Sequence, residues 1–299
     1  MPDDSTPLYP PPPSARVSVV IPTFNRSGPL TRALRSVAAQ TRPPEEVIVV
    51  DDGSTDSTRQ MVAQRFPAAI YLYQPNQGVS CARNAGIGAA SGEWIALLDS
   101  DDEWLPGKLA AQMNLLSQQP EHLLCHTEEI WIRNGKQVNQ MKKHTKCGGE
   151  IFQRCLSLCV ISPSSVLIHR SLFERIGLFD ESLPACEDYD LWLRICASHP
   201  VAYVATPQIV KHGGHSDQLS RQHWGMDRFR LKALVKIIES GALSGADLSA
   251  ARAMLRKKAA ILANGAEKRG NRNAAVEYRT LAEQHLDPAG KGKSPASKC

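Results

Sequence analysis

The residues with the clearest chemical content are Asp99-Ser100-Asp101-Asp102, which follow the apolar residues Ile95, Ala96, Leu97 and Leu98. Two acids separated by one residue at a strand end can both aim at one hard cation. Mg²⁺ or Mn²⁺ is commonly held by one or two carboxylates, with water and substrate phosphate oxygens completing the shell. Asp51-Asp52-Gly53-Ser54-Thr55-Asp56 follows a second apolar run. Here Asp52 can accept hydrogen bonds from a nucleotide's base or ribose, or cap the next helix together with Ser54. Asp56 suits the cap, because negative charge complements a helix N-terminus. A third acidic group is Glu187-Asp188-Tyr189-Asp190. Asp190 lies four residues before Arg194 and can pair with it, whereas Asp188 shares a helical face with Trp192 and Ile195. Asp188 is therefore a candidate general base, with dipole complementarity at a helix start as its structural alternative.

Elements must bring these groups together. Short β-rich runs at 17–21, 47–50, 70–73 and 94–98 alternate with helical patterns at 30–40, 55–66 and 79–90. That alternation predicts a parallel sheet with helical crossovers. Unbroken apolarity in Val17-Ser18-Val19-Val20-Ile21 and Val47-Ile48-Val49-Val50 predicts strands covered on both faces. In open α/β sheets ligands sit beyond the C-terminal strand ends, where the acidic turns fall. The first such turn, Pro22-Thr23-Phe24-Asn25-Arg26, has no GxGxxG pattern, which argues against NAD or FAD. The second half reads as mixed, with strands at 123–132, 164–169 and 201–205 and a helix at 187–197. After residue 222 helical patterns dominate, broken at Gly270-Asn271, so the end resembles a helical hairpin.

The chain has 299 residues, 42% hydrophobic and 22% charged, which suits a folded α/β protein. Its net charge of +5 is uneven: residues 218–299 carry sixteen Lys/Arg against seven Asp/Glu. This basic end reads as a solvated helical face or a contact with an anionic surface. No aromatic stacking pattern accompanies it, so no nucleic acid partner is expected. The eight cysteines have irregular spacing that suits reduced thiols better than disulfides or zinc. No apolar run reaches the roughly 18 residues of a membrane span. Residues 1–15, with Pro10-Pro11-Pro12-Pro13, read as a disordered leader.

Taken together, Val17 to Arg26, Val50 to Asp56, Gly78-Val79-Ser80-Cys81-Ala82-Arg83-Asn84, Asp99 to Asp102 and Glu187 to Arg194 resemble family 2 glycosyltransferases, in that family's order. The resemblance spans roughly residues 16–215. It implies a GT-A fold, an α/β architecture with a mostly parallel Rossmann-like sheet flanked by helices. It also implies a nucleotide-sugar donor, a divalent metal (Mn²⁺ or Mg²⁺) and inversion at the anomeric carbon. Carried over by position, Pro22, Thr23 and Asn25 would lie against the nucleotide, and Asp52 would bind the base. Asp99, Ser100 and Asp101 match the DxD motif, with Asp101 on the metal and Asp99 on ribose or metal. Arg83 would lie near the nucleotide, or tie its helix to the acidic loop. Asp188 matches the position of the base. Lys211-His212-Gly213-Gly214-His215-Ser216, after the last predicted strand, matches a basic segment closing over the diphosphate, with His212 on metal or phosphate. Ser164 and Ser165 are acceptor-side candidates only.

The expected function is thus an inverting transfer from a UDP- or dTDP-type donor to a saccharide or lipid-linked hydroxyl acceptor in polysaccharide, glycolipid or glycan assembly. The expected organisation is a leader at 1–15, a GT-A domain at 16–217, a helical extension at 218–286 and a flexible tail at 287–299. The C-terminal helices are expected to serve peripheral membrane contact or dimerisation. The expected location is cytoplasmic, with peripheral attachment at the inner membrane face as a variant. A sugar nucleotidyltransferase should show a glycine- and basic-rich loop after the first strand, and Pro22-Thr23-Phe24-Asn25 is not one. A non-catalytic nucleotide-sugar-binding scaffold is the other rival, and intact Asp101 and Asp188 argue against it.

Overall fold

The structure, a computed structural model, describes residues 15–214, 223 and 225–285. The polyproline run, His215, Ser216 and the tail at 287–299 lie outside the described residues.

The first half alternates as its periodicity predicts: β1 (Val17–Thr23), α1 (Ser27–Ala38), β2 (Glu46–Asp51), α2 (Thr58–Arg65), β3 (Ile70–Tyr73), α3 (Val79–Ala89) and β4 (Trp94–Leu97). Then come β5 (Glu103–Trp104), α4 (Lys108–Gln118), β6 (Leu124–Arg133), β7 (Lys136–Val138), α5 (Phe152–Cys155), β8 (Leu167–His169), α6 (Arg170–Ile176), α7 (Glu187–Cys196) and β9 (Ala202–Gly213). Three helices follow: α8 (Asp227–Glu239), α9 (Gly245–Lys268) and α10 (Arg272–Gln284).

Among the described residues the strands form one sheet in the order β3-β2-β1-β4-β8-β6-β9-β5, with β7 beside β6. The first four strands are mutually parallel, β8 runs antiparallel to both β4 and β6, and β6 pairs in parallel with β9. Both faces are covered, as the unbroken apolar runs require. Val17, Val19 and Ile21 pack with Leu30 and Leu34 of α1 and Leu109 and Met113 of α4. Val20, Ile48, Val50, Ile95 and Leu97 face the other way, into a larger cluster with Ala82 of α3 and Tyr189 and Trp192 of α7. α1 buries Leu30, Ala33, Leu34 and Val37, the i, i+3, i+4, i+7 stripe of a helix lying on a sheet. Gly86 lets α3 approach closely, since a Cβ there would sit 2.3 Å from Val20 Cγ1.

One expectation needs correction. The last sheet strand does not stop near residue 205 but runs on to Gly213, so Lys211 and His212 belong to β9 and not to a loop. Past residue 205 the β6–β9 register shifts at Glu128, which faces Pro207, and pairing resumes at Glu129↔Ile209. A bulge accommodates the proline's missing N–H. The helical patterns expected after residue 222 are present: α8 buries Phe229, Leu231, Leu234 and Ile237, and α9 and α10 follow it on either side of the break. The break itself lies at Gly270, with φ +76, and Asn271 Oδ1 caps α10 by accepting from Ala274 N.

Candidate active site

The C-terminal ends of β1, β2 and β4 open on one side of the sheet, and their turns are joined to one another. Asn25 adopts a left-handed conformation with φ +51, which turns its side chain into hydrogen-bonding range of the second turn. Its Oδ1 accepts from Thr55 N at 2.7 Å and Asp56 N at 3.3 Å, while Asn25 N donates to Ser54 Oγ at 2.8 Å. Asp56 caps both neighbouring helices, accepting from Thr58 N at 2.9 Å and Ser27 N at 3.2 Å. Asp52 is buried and reaches past its own turn to the loop before α3. It accepts from Gln74 Nε2 at 2.7 Å, Gln77 N at 2.9 Å and Gly78 N at 2.8 Å. Asp51, not Asp52, accepts from Ser54 N at 2.7 Å. Pro22 and Thr23 are buried at the end of β1, and Thr23 Oγ1 is a buried hydroxyl with no partner among the described residues.

The acidic loop after β4 divides its charges among separate partners. Asp99 Oδ1 takes Arg83 Nη2 at 2.7 Å, and Asp101 Oδ2 takes Arg26 Nη1 at 2.7 Å. Burial opposes ionisation of Asp99, but Arg83, Lys211 and Arg26 overcome it and hold its carboxyl below the usual range. Asp102 goes the other way: burial first, then Asp101 and Asp99, push it well above the usual range against the pull of Lys211. Its partners are Ser164 Oγ, donating at 2.6 Å, and His212 N, donating at 3.1 Å. Ser100 is buried beside it. Glu103 continues into β5, where its Oε1 lies 2.7 Å from His212 Nε2. It therefore belongs to the sheet edge and not to the start of α4.

Arg83 is the hinge between this loop and the third acidic group. The guanidinium, buried on α3, holds Asp99 with one nitrogen and Glu187 Oε1 with the other at 2.6 Å. Burial lowers its proton affinity, and the Asp99 and Glu187 charges more than restore it. It also lies over the Phe179 ring, 5.1 Å from the centroid, while Asn84 Nδ2 donates to the Phe179 carbonyl at 2.9 Å. Glu187 starts α7, and burial together with Asp188 raises its pKa despite Arg83. Asp190 is buried and holds Arg194 Nε at 2.9 Å, the i, i+4 pair read from sequence. Asp188, partly buried, accepts from Tyr189 N at 2.7 Å and from Cys159 Sγ at 3.1 Å. Lys211 approaches from β9, donating to Ser162 Oγ at 2.9 Å. Burial lowers its proton affinity, but Glu129, Asp102, Asp99 and Cys159 raise it further.

The structure thus brings Arg83, Asp99, Glu187 and Asp188 into one connected group, with Lys211 beside it. Among the described residues no three His, Cys, Asp or Glu side chains converge as a cage for a metal ion. Asp99, Asp101 and His212 each face another charged or titratable group. The carboxylates nonetheless suit the mode in which one or two hard oxygens hold Mg²⁺ or Mn²⁺ and substrate phosphates supply the rest. Ser164 and Ser165 lie beneath the acidic loop and the sheet rather than at the surface. Both are fully buried, and Ser164 supports the acidic loop, accepting from Asp99 N at 3.1 Å. Sequence reasoning gave no role to Glu187, Cys159 or Arg26. Glu187 carried only the signal of an acid in a helix's first turn, which dipole complementarity by itself explains.

The model of the family described as Glycosyl transferase family 2 matches residues 18–177, just over half of the chain. An uncharacterized glycosyltransferase of Rickettsia prowazekii is 32% identical over 194 residues, covering 60% of this chain and 58% of the relative. A second, from Rickettsia typhi, is 32% identical over 218 residues, covering 69% and 66%. The chain therefore spans less than two thirds of the length of these relatives. UDP-Glc:alpha-D-GlcNAc-diphosphoundecaprenol beta-1,3-glucosyltransferase WfgD of Escherichia coli is 30% identical over 190 residues, 63% of this chain and 72% of that protein. Among solved structures, S. aureus TarS 1-349 in complex with UDP-GlcNAc matches with a TM-score of 0.69 at 20% identity. The match covers 90% of this chain and 82% of TarS, a likeness of fold.

Proposed function

Because the chain belongs to glycosyl transferase family 2 and has the GT-A fold, we propose that it is a glycosyltransferase that moves one sugar, with inversion, from a UDP-type donor to a hydroxyl acceptor. The observation that carries this reading is the Asp99–Arg83–Glu187 bridge, which ties the acidic loop beyond β4 to the helix that presents Asp188. In an inverting displacement the acceptor oxygen attacks the anomeric carbon as the bond to the diphosphate breaks. Asp188 takes the acceptor's proton, so the nucleophile and the base must be held in register with the donor.

Thr23, Pro22, Asn25, Asp52 and Ser100 are proposed to surround the nucleotide, and the unpartnered Thr23 hydroxyl has hydrogen-bonding capacity to offer a ligand. Asp101, with Asp99, would hold Mg²⁺ or Mn²⁺, which when bound offsets the negative charge that grows on the departing diphosphate. Arg26 and Lys211 are cations of the chain itself that bear on the acidic loop. WfgD, by its name, acts on a diphosphoundecaprenol-linked sugar. A lipid-linked acceptor is the corresponding proposal for this chain. No helix among the described residues is long and apolar enough to cross a membrane.

The test is Asp188→Asn, assayed against a panel of UDP-sugars and acceptors with Mn²⁺ present. Transfer should fall by at least about a hundredfold, the usual effect of losing a general base. Donor affinity by calorimetry should stay nearly unchanged. Turnover retained by the variant rejects the role of Asp188.

A further inference from the structure

We infer that Cys159 is a positioning residue for Asp188, its thiol donating to the carboxylate and setting the orientation of the base. The inference rests on the reading of Asp188 as the base. Cys159 Sγ lies 3.1 Å from Asp188 Oδ2 and 3.1 Å from the Ile161 carbonyl oxygen. A thiol has one proton to give. The Ile161 carbonyl already accepts from Trp192 Nε1 at 3.0 Å, and a carboxylate is the stronger acceptor. The other carboxylate oxygen, Oδ1, takes the N–H of Tyr189 at 2.7 Å. Rotating the carboxylate therefore breaks one bond or the other.

The thiol sits on a fixed frame. Tyr189 OH donates to the Leu156 carbonyl at 2.7 Å, so α7 is bonded to the 156–161 segment on either side of Cys159. From the opposite side Lys146 Nζ donates to the Val160 carbonyl at 2.7 Å, and Lys211 Nζ to Ser162 Oγ. Burial first, and then the Asp188 charge, push the thiol pKa well above its usual value, which keeps Cys159 a donor. The charged and titratable groups around this pair are Cys186 just before α7, Glu187 on α7, Cys155 on α5, Arg230 on α8, Lys211 on β9, and Arg83 behind Glu187. None of them bonds Asp188 as the thiol does.

Without the thiol the carboxylate keeps only the Tyr189 N–H and can rotate away from the acceptor hydroxyl. Cys159→Ala should lower kcat about threefold, the scale of one weak hydrogen bond, and leave donor KM unchanged. Cys159→Val, also without a donor, should behave alike and serves if the smaller variant does not fold. Cys159→Ser, which keeps a donor, should restore kcat. An unchanged kcat in the donor-free variants overturns the inference, as does a serine variant that behaves like alanine. If Asp188→Asn still turns over, the base assignment fails separately. If that variant is inactive and the Cys159 variants turn over like the unaltered protein, only the positioning role fails.

Discussion

Arg83 is buried with its charge shared between two acids on different elements, and such a residue is rarely replaceable. Removing one member of a buried ionic network leaves the others uncompensated, which costs about 3–5 kcal/mol, whereas replacing the network with apolar groups is often tolerated. Arg83→Met should accordingly lower unfolding stability by about 3 kcal/mol in urea denaturation, while Arg83→Met/Glu187→Met should recover a substantial part. Strictly additive effects would mean that the two residues do not couple. The crowding of Asp99, Asp101, Asp102 and Glu103 has a similar answer at this scale. Each acid has its own neighbour: Arg83, Arg26, Ser164 and His212. The acids themselves were legible in the sequence, because strand ends collect ligands. Of their partners, Arg83 was legible as one of two alternatives, a tie from its helix to this loop, and it does hold Asp99; Ser164 was not, because it lies 62 residues from Asp102.

At the scale of elements, α7 is held on both sides, and Lys236 of α8 is one of its fastenings. Its ammonium meets Asp180 Oδ2 at 2.6 Å and Asp190 Oδ2 at 3.1 Å. Burial opposes ionisation of Asp180, but Lys236 and Ser182 lower its pKa from 3.8 to about 2. A carboxyl with a depressed folded-state pKa stabilises the fold above its unfolded pKa, and the gain disappears as pH falls toward the folded value. Asp180→Asn should thus cost about 1 kcal/mol at neutral pH, discounted because Lys236 is substantially exposed. In urea titrations across acid pH, the difference from the unaltered protein should shrink between about pH 4 and pH 2. A constant difference would remove the ion pair as its cause. The helical and parallel-sheet elements of the first half were legible from period alone. β9 was not, because Pro207 mimics a strand end and only pairing with β6 shows that the strand continues past a bulge.

At the scale of the molecule, α8 and α9 pack into the core that α7 and the sheet share. Phe229, Leu234, Ala251, Leu255 and Leu262 belong to one cluster with Trp192, Val20 and Ile95. Even Lys258, from the basic C-terminal region, is buried, donating to the Ser157 carbonyl at 3.0 Å and to Asp227 Oδ1 at 2.8 Å. Part of that positive charge is therefore internal. Leu234, fully buried, is the test of a shared core. Leu234→Ala should destabilise by about 2–5 kcal/mol, the range for truncating a buried leucine. Tryptophan fluorescence and far-UV circular dichroism should still report one coincident transition. Two separate transitions would show that the C-terminal helices melt independently of the sheet.

The sequence by itself determined the alternating first half, the strand ends at which acids collect, and the i, i+4 pairing that singles out Asp188 from Asp190. These depend on neighbours within a few residues, where periodicity and capping act. Tertiary structure alone decided that Arg83 joins the acidic loop to α7, that Ser164 lies beneath that loop, and that a thiol from the 156–161 segment meets the Asp188 carboxylate. Each of these contacts joins side chains distant in sequence. Their geometry follows from how the sheet twists and how the helices stack on it, which no local pattern encodes.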